Sequence, residues 1–180
     1  MRCLRNRILV VFVLASLPMA GAESARQIFD QQLSAAERDV MEVVEIMPTN
    51  QFNFVPTQSA FQHARTFGAQ VRHIAFCLNE VAVALLGEPM LPHTDQDGPK
   101  SLTSRDDIIR YLKDAFAHAH KAIGTLTNDN LLEQIADPYS SQLRTTRLEA
   151  AGIFCSHTYD HYGQLVEYLR MNNRVLPGHQ

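Results

Sequence analysis

The sequence predicts an all-α protein, a four-helix bundle, on three observations. Four stretches repeat apolar side chains at three- and four-residue intervals, the period of a helix with one buried face. No segment alternates polar and apolar residues convincingly enough for a strand ladder, and no repeat or low-complexity tract appears. The connectors include a long one at 87–102, which lets the second and third helices run parallel where a short turn would not.

The first stretch spans residues 29–47, with Phe29, Leu33, Ala36, Val40, Val43, Val44 and Met47 on one stripe and Pro48 ending it. The connector from Thr49 to Thr57 carries Phe52, Phe54 and Pro56. Its alternating aromatics predict an extended segment packed onto the domain. The second helix is expected from about Ser59 to Leu86, with Phe67, Gln70, His73 or Ile74, Cys77, Val81 and Ala84 along one face, stopped by Gly87 and Pro89.

Residues 87–102 hold three prolines and two glycines and read as a loop. The third helix starts at Thr103 or Ser104, where Asp106 or Asp107 three residues on completes a capping pattern. Ile109, Leu112, Phe116, Ala119, Ile123 and Leu126 form its inward stripe. A loop containing Pro138 leads to the fourth helix, roughly 144–171. Leu148, Ala151, Phe154, His157, His161, Leu165 and Tyr168 mark its inner face.

The N-terminus reads as an export signal. Arg2, Arg5 and Arg7 precede an apolar run from Ile8 to Leu17, and Ala20-Gly21-Ala22 offers an A-x-A cleavage site before Glu23. The run is too short for a comfortable membrane span, and Cys3 stands at the wrong end for a lipoprotein site. Residues 1–22 are therefore expected to be a signal peptide and residues 23–180 a single domain, periplasmic or secreted, with no membrane contact after cleavage. Losing three arginines and no acids takes the net charge from −3 to −6. No basic stripe remains, which argues against nucleic acid as a partner. Cys77 and Cys155 both fall in apolar helical runs and are expected to be buried free thiols.

The chemistry concentrates at His157 and His161. Four residues apart on a helix, their Cβ atoms stand roughly 5–6 Å apart, near enough to converge on one ion. Both lie on the inward stripe, where buried imidazoles need partners for both ring nitrogens. One such histidine is easily a satisfied core residue; two on one buried stripe favour a metal. His73, on the core side of the second helix, is the expected third ligand, because bundle sites are built from inward side chains on facing helices. His118 and His120 are two apart and diverge, His63 is off the face of His73, His93 is in the Pro-rich loop and His179 in the tail. Surface or capping roles are expected for all five. Thr158 stands where a zincin would carry its general-base Glu. Asp160 turns about 100° away from His161 and is expected to be solvated or to support a ligand indirectly.

Met47-Pro48 with Phe52, Phe54 and Pro56-Thr57, then His73-Ile74-Ala75, and finally His157-x-x-x-His161-Tyr162-Gly163-Gln164-Leu165 with Tyr168-Leu169-Arg170 together resemble the DinB/YfiT-like superfamily. The resemblance covers about residues 27–177 in order. It implies a bundle of up-down-down-up topology and a divalent metal, zinc or nickel, held by three histidines that map onto His73, His157 and His161. It also implies either a metal-dependent hydrolase acting on a small-molecule substrate or a thiol-dependent S-transferase or isomerase, in a chain that forms a homodimer. Export favours the hydrolase, since low-molecular-weight thiol cofactors are cytosolic reagents. A non-catalytic bundle stapled by its metal is the third reading.

Overall fold

The computed structural model describes residues 24–56, 63–89 and 96–176. Four helices, α1 (Ala25–Ile46), α2 (Phe67–Leu86), α3 (Arg105–Ile123) and α4 (Arg147–Met171), form the bundle. A 3-10 turn (Thr49–Gln51) follows α1, and two short strands, β1 (Gln134–Asp137) and β2 (Ser140–Thr146), precede α4. The expected leader, the expected start of the second helix at Ser59, His93 and His179 lie outside the described residues.

α1 begins with a capping box. The Ser24 hydroxyl accepts from the Gln27 amide, and the Gln27 side chain accepts from the Ser24 amide. Leu33, Ala36, Val40, Val43 and Val44 are buried along the predicted stripe. Arg105 reaches back to the end of α1, donating to the carbonyls of Glu45 at 3.1 Å and Met47 at 3.4 Å. The last carbonyls of a helix lack partners within it, and the guanidinium supplies them.

The connector packs onto the domain as its aromatics predict, but it is not extended throughout: it opens with the 3-10 turn, and Phe52 is itself in the helical conformation. Phe52 meets Phe67 edge-on with ring centroids 5.2 Å apart, and Phe54 meets Tyr168 at 5.8 Å. Its carbonyls also set where α2 starts. Phe67 N–H donates to the Phe54 carbonyl at 2.9 Å, and Gly68 N–H to that of Phe52 at 2.8 Å. These bonds satisfy first-turn amides that have no partner inside a helix. Gly68 permits the approach, because a Cβ there would stand 3.2 Å from the Phe52 oxygen. Residues 63–66 are therefore not helical, and α2 opens at Phe67 with Thr66 as its cap. The sequence expectation had carried the helix through this stretch.

α2 is buried on nearly every side, as the central helix of a bundle must be. By length and apolarity it could cross a membrane, yet 83% of that stretch is buried inside the protein. Gly87, at φ +68°, ends it in the left-handed conformation. α3 starts at Arg105 with Ser104 accepting from the Asp107 amide, as the capping pattern predicts.

Two expectations fail around α4. Residues 134–146 form an antiparallel hairpin with a register irregularity at Ala136/Asp137, so α4 begins at Arg147, after a Thr146/Glu149 capping box. Leu148 is 38% exposed; Ala150 and Ala151 face the core in its place.

α2 and α3 meet start to start, where Gly68 closes on Ile108. They meet again near their ends, where Asn79 and Glu88 bond His118. α4 begins against the end of α2, Arg147 donating to the Leu85 carbonyl at 2.8 Å. Its last turns return to the residues before α2, where the Tyr168 hydroxyl donates to the Arg65 carbonyl at 2.9 Å. This α2/α4 seam carries the histidines.

Candidate metal centre

His73 projects from the second turn of α2 toward His157 and His161 on α4. The ring centroids are 5.1 Å apart for His73 and His157, 4.6 Å for His73 and His161, and 4.4 Å for His157 and His161. The four-residue spacing stacks the α4 pair on one face, and the inward stripe of α2 supplies the third ring. His73 and His161 are buried and His157 is half-buried, so the site sits at an edge of the core.

The protonation states suit ligation. Burial lowers the His157 pKa to about 3, helped by His161, His73 and Arg65. Burial likewise takes His161 to about 4, with His73 and Arg65 adding to the effect and Asp160 and Gln164 opposing it. His73 is lowered by burial too, partly offset by its bond to the Gln96 backbone. All three imidazoles are neutral at pH 7, the form that offers a lone pair to a cation.

Hydrogen bonds decide which nitrogen is offered. His73 Nδ1 lies 2.5 Å from the Gln96 carbonyl oxygen, which can only accept, so Nδ1 carries the proton and Nε2 is free. His157 Nε2 and His161 Nε2 stand 3.1 Å apart. Two nitrogens on one tetrahedral ion at 2.0–2.1 Å would be separated by about 3.3 Å, so the α4 pair is already spaced as ligands. The donor set and the spacing fit a divalent metal ion.

Gln70 was placed on the inward face of α2 from the sequence, but its role was not foreseen. Its side-chain amide bonds His161 Nδ1 and lies 2.8 Å from Gln164 Oε1. With its nitrogen toward the ring, Nδ1 accepts and the His161 proton sits on Nε2. Turned over together with the Gln164 amide, which then donates to it, the Gln70 oxygen accepts from Nδ1–H and frees Nε2 for a cation. The signal was present: a buried amide on an apolar stripe one turn before His73 must have polar partners.

Cys77 was read as a buried free thiol. It is free and buried, as expected, whereas Cys155 is only half-buried. Cys77 nevertheless belongs to the site: His73, Cys77 and His157 present ligand atoms that all lie within 4.8 Å of one another. The His73/Cys77 spacing repeats the four-residue spacing of the α4 pair, and that repetition could have disclosed it. Burial, then the charge of Glu80, pushes the Cys77 thiol up to about 12, so it is protonated in the metal-free protein.

The other histidines among the described residues stay apart. His118 bonds Asn79 and Glu88, His120 bridges Asp30 at 2.6 Å and Glu37 at 3.2 Å, and His63 is exposed in a turn. Asp160 is exposed and accepts from Gln164 at 3.3 Å, the solvated position expected of it.

No curated protein matches the chain. Among solved structures, a DinB-like protein from Bacillus cereus ATCC 10987 superposes with a TM-score of 0.66 at 15% identity, covering 87% of this chain and 98% of that one. At that identity the likeness concerns the fold. The family model described as the DinB superfamily matches residues 32–165, a span that includes α2, the hairpin and all three converging histidines. On that match the chain belongs to the DinB superfamily.

Proposed function

We propose that this chain is an exported metal-binding protein in which His73, His157 and His161 hold a divalent ion, zinc or nickel, and that the loaded site hydrolyses a small-molecule substrate. The observation that carries the reading is the convergence of three neutral imidazoles from two helices, two of them with Nε2 atoms 3.1 Å apart. When bound, such an ion polarises a substrate oxygen or lowers the pKa of a coordinated water. The chain's own part is positional. Gln96 holds the His73 ring with Nε2 free, Gln70 and Gln164 hold His161, and the surrounding core keeps the imidazoles neutral.

The start-to-start contact of α2 and α3 and the opposed run of α4 support an up-down-down-up path for the bundle. The basic, apolar and A-x-A segments of residues 1–22 support export, and a periplasmic or secreted protein is the matching location. The homodimer remains part of the proposal through the family resemblance.

Elemental analysis of the purified wild type beside the His157→Ala/His161→Ala variant tests the metal. One ion per wild-type chain and none in the variant is the expected result; equal and negligible metal in both contradicts it. Export is read separately by fusing residues 1–22 to a reporter and following its secretion.

One observation favours a second reading. Cys77 stands within the ligand group, and a sphere filled by protein atoms would make the ion a staple between α2 and α4 without turnover.

A further inference from the structure

Three histidines can hold an ion, but nothing in that ligand set selects a substrate. Arg65 stands where such a residue is needed. Consecutive residues of one strap hold His73 and Arg65: His73 Nδ1 donates to the Gln96 carbonyl and Arg65 Nε to Asp97 Oδ1, each at 2.5 Å. Arg72 ties the strap to α2, donating to the Asp97 carbonyl at 3.3 Å and to that of Leu102 at 2.7 Å. Gly98, at φ +69°, lets the strap pass close, since a Cβ there would stand 3.0 Å from the Arg72 oxygen. On the other side the Arg65 carbonyl accepts from Tyr168, which lies about two helical turns beyond His161 on α4. The Arg65 guanidinium is thereby fixed beside the histidines, at the same seam.

Two observations give that guanidinium a role beyond its pair with Asp97. Its Nε is engaged, whereas among the described residues its two terminal nitrogens have no hydrogen-bond partner, which leaves one edge with a parallel pair of N–H donors. It is also the one arginine or lysine whose charge reaches all three histidines, adding to burial in lowering the pKa of each. A guanidinium that close to a bound dication repels it unless an anion stands between them. The parallel N–H pair matches the two oxygens of a carboxylate.

We propose that Arg65 selects the substrate: the small molecule taken by the three-histidine site carries a carboxylate that binds the free edge of Arg65 while its reacting group meets the ion. This rests on the metal reading above and deepens it by naming the substrate class. The pair with Asp97 holds the plane of the guanidinium, so the fork is oriented before the ligand arrives. The same carboxylate screens the guanidinium from the ion. Neutral molecules of equal size lose both interactions and are discriminated against.

Calorimetric titration of the zinc-loaded full chain separates the outcomes. The probes are succinate, glutarate and adipate, each beside the monocarboxylate of equal chain length: butyrate, pentanoate and hexanoate. One carboxylate of the pair stands in for the reacting group at the ion and the other for the group on Arg65. At least one dicarboxylate should bind the wild type about 10–100-fold more tightly than its monocarboxylate. Arg65→Gln should lose that advantage with its zinc content unchanged. Arg65→Lys keeps the charge but not the fork; it should give up most of the advantage, and it serves where Arg65→Gln fails to fold. A preference that survives both substitutions, or no preference in any pair despite one bound zinc, overturns the role of Arg65 and leaves the metal site standing. No bound zinc in the wild type overturns the metal reading and this proposal together.

Discussion

His157 Nε2 lies 3.1 Å from His161 Nε2, and both rings face His73 across the α2/α4 seam. Two uncharged imidazoles at that distance share one proton between them or share a cation. The cation satisfies both lone pairs at once, and the site should therefore gain stability when loaded. At a free-ion concentration of about 100 times Kd, binding adds about 2.7 kcal/mol. For a domain of this size that raises Tm by about 5–10 °C. Differential scanning calorimetry with zinc should show the shift in the wild type and none in His157→Ala/His161→Ala.

In the proposed site Gln70 would act on the ion through His161. Its amide contacts Nδ1 and is itself held by Gln164 at 2.8 Å. Removing a hydrogen-bond partner of a ligating histidine costs about 10–100-fold in metal affinity. Gln70→Ala should fall in that range by chelator competition. Gln70→Glu, whose carboxylate also accepts from Nδ1–H, should recover most of the loss. A structural role alone would not distinguish the two variants in this way.

Acid should destabilise the metal-free protein early. The folded-state pKa values of His157 and His161 are lowered to about 3 and about 4, whereas in the unfolded chain both titrate near 6.5. Above pH 6.5 neither state binds the protons and stability is unaffected. Below it the unfolded chain takes them up first, so stability falls progressively as pH drops from 6.5 toward 3. Urea unfolding of the metal-free protein at pH 7.5, 6 and 5 should give a declining midpoint. Replacing both histidines with leucine should flatten that decline.

The Thr146 cap separates fold from site. Its hydroxyl accepts from the Glu149 amide at 3.2 Å and joins the end of β2 to the start of α4. Thr146→Ala should cost about 1 kcal/mol by urea unfolding, with metal content unchanged, because the histidines stand well along α4.

What the sequence made legible follows the physics of each element. α1 and α3 bury one stripe each, and periodicity reports that directly: Leu33 to Val44 and Ile109 to Ile123 are buried as read. The start of α2 is different, since it depends on carbonyls of Phe52 and Phe54 that are remote from Phe67 and Gly68 in sequence. Local propensity carries no trace of such bonds. The hairpin escaped because few of its residues are buried, Ile135, Pro138 and Thr145 being those that are. A ribbon held by backbone pairing shows no clean polar and apolar alternation. The histidines were legible because polar residues on an apolar stripe conflict with burial unless something satisfies them. Gln70, Cys77 and Thr158 break the same rule more quietly: an amide can satisfy itself locally, a thiol passes as apolar, and a threonine passes as a β-branched core residue.

The central claim is that the three histidines hold one divalent ion. An anomalous difference map from crystals grown with zinc or nickel, collected at the metal edge, tests it most directly. The account predicts a single strong peak bounded by His73 Nε2, His157 Nε2 and His161 Nε2 at about 2.0–2.1 Å. No peak at the α2/α4 seam, or peaks confined to surface pairs such as His120 with Asp30 and Glu37, would contradict it.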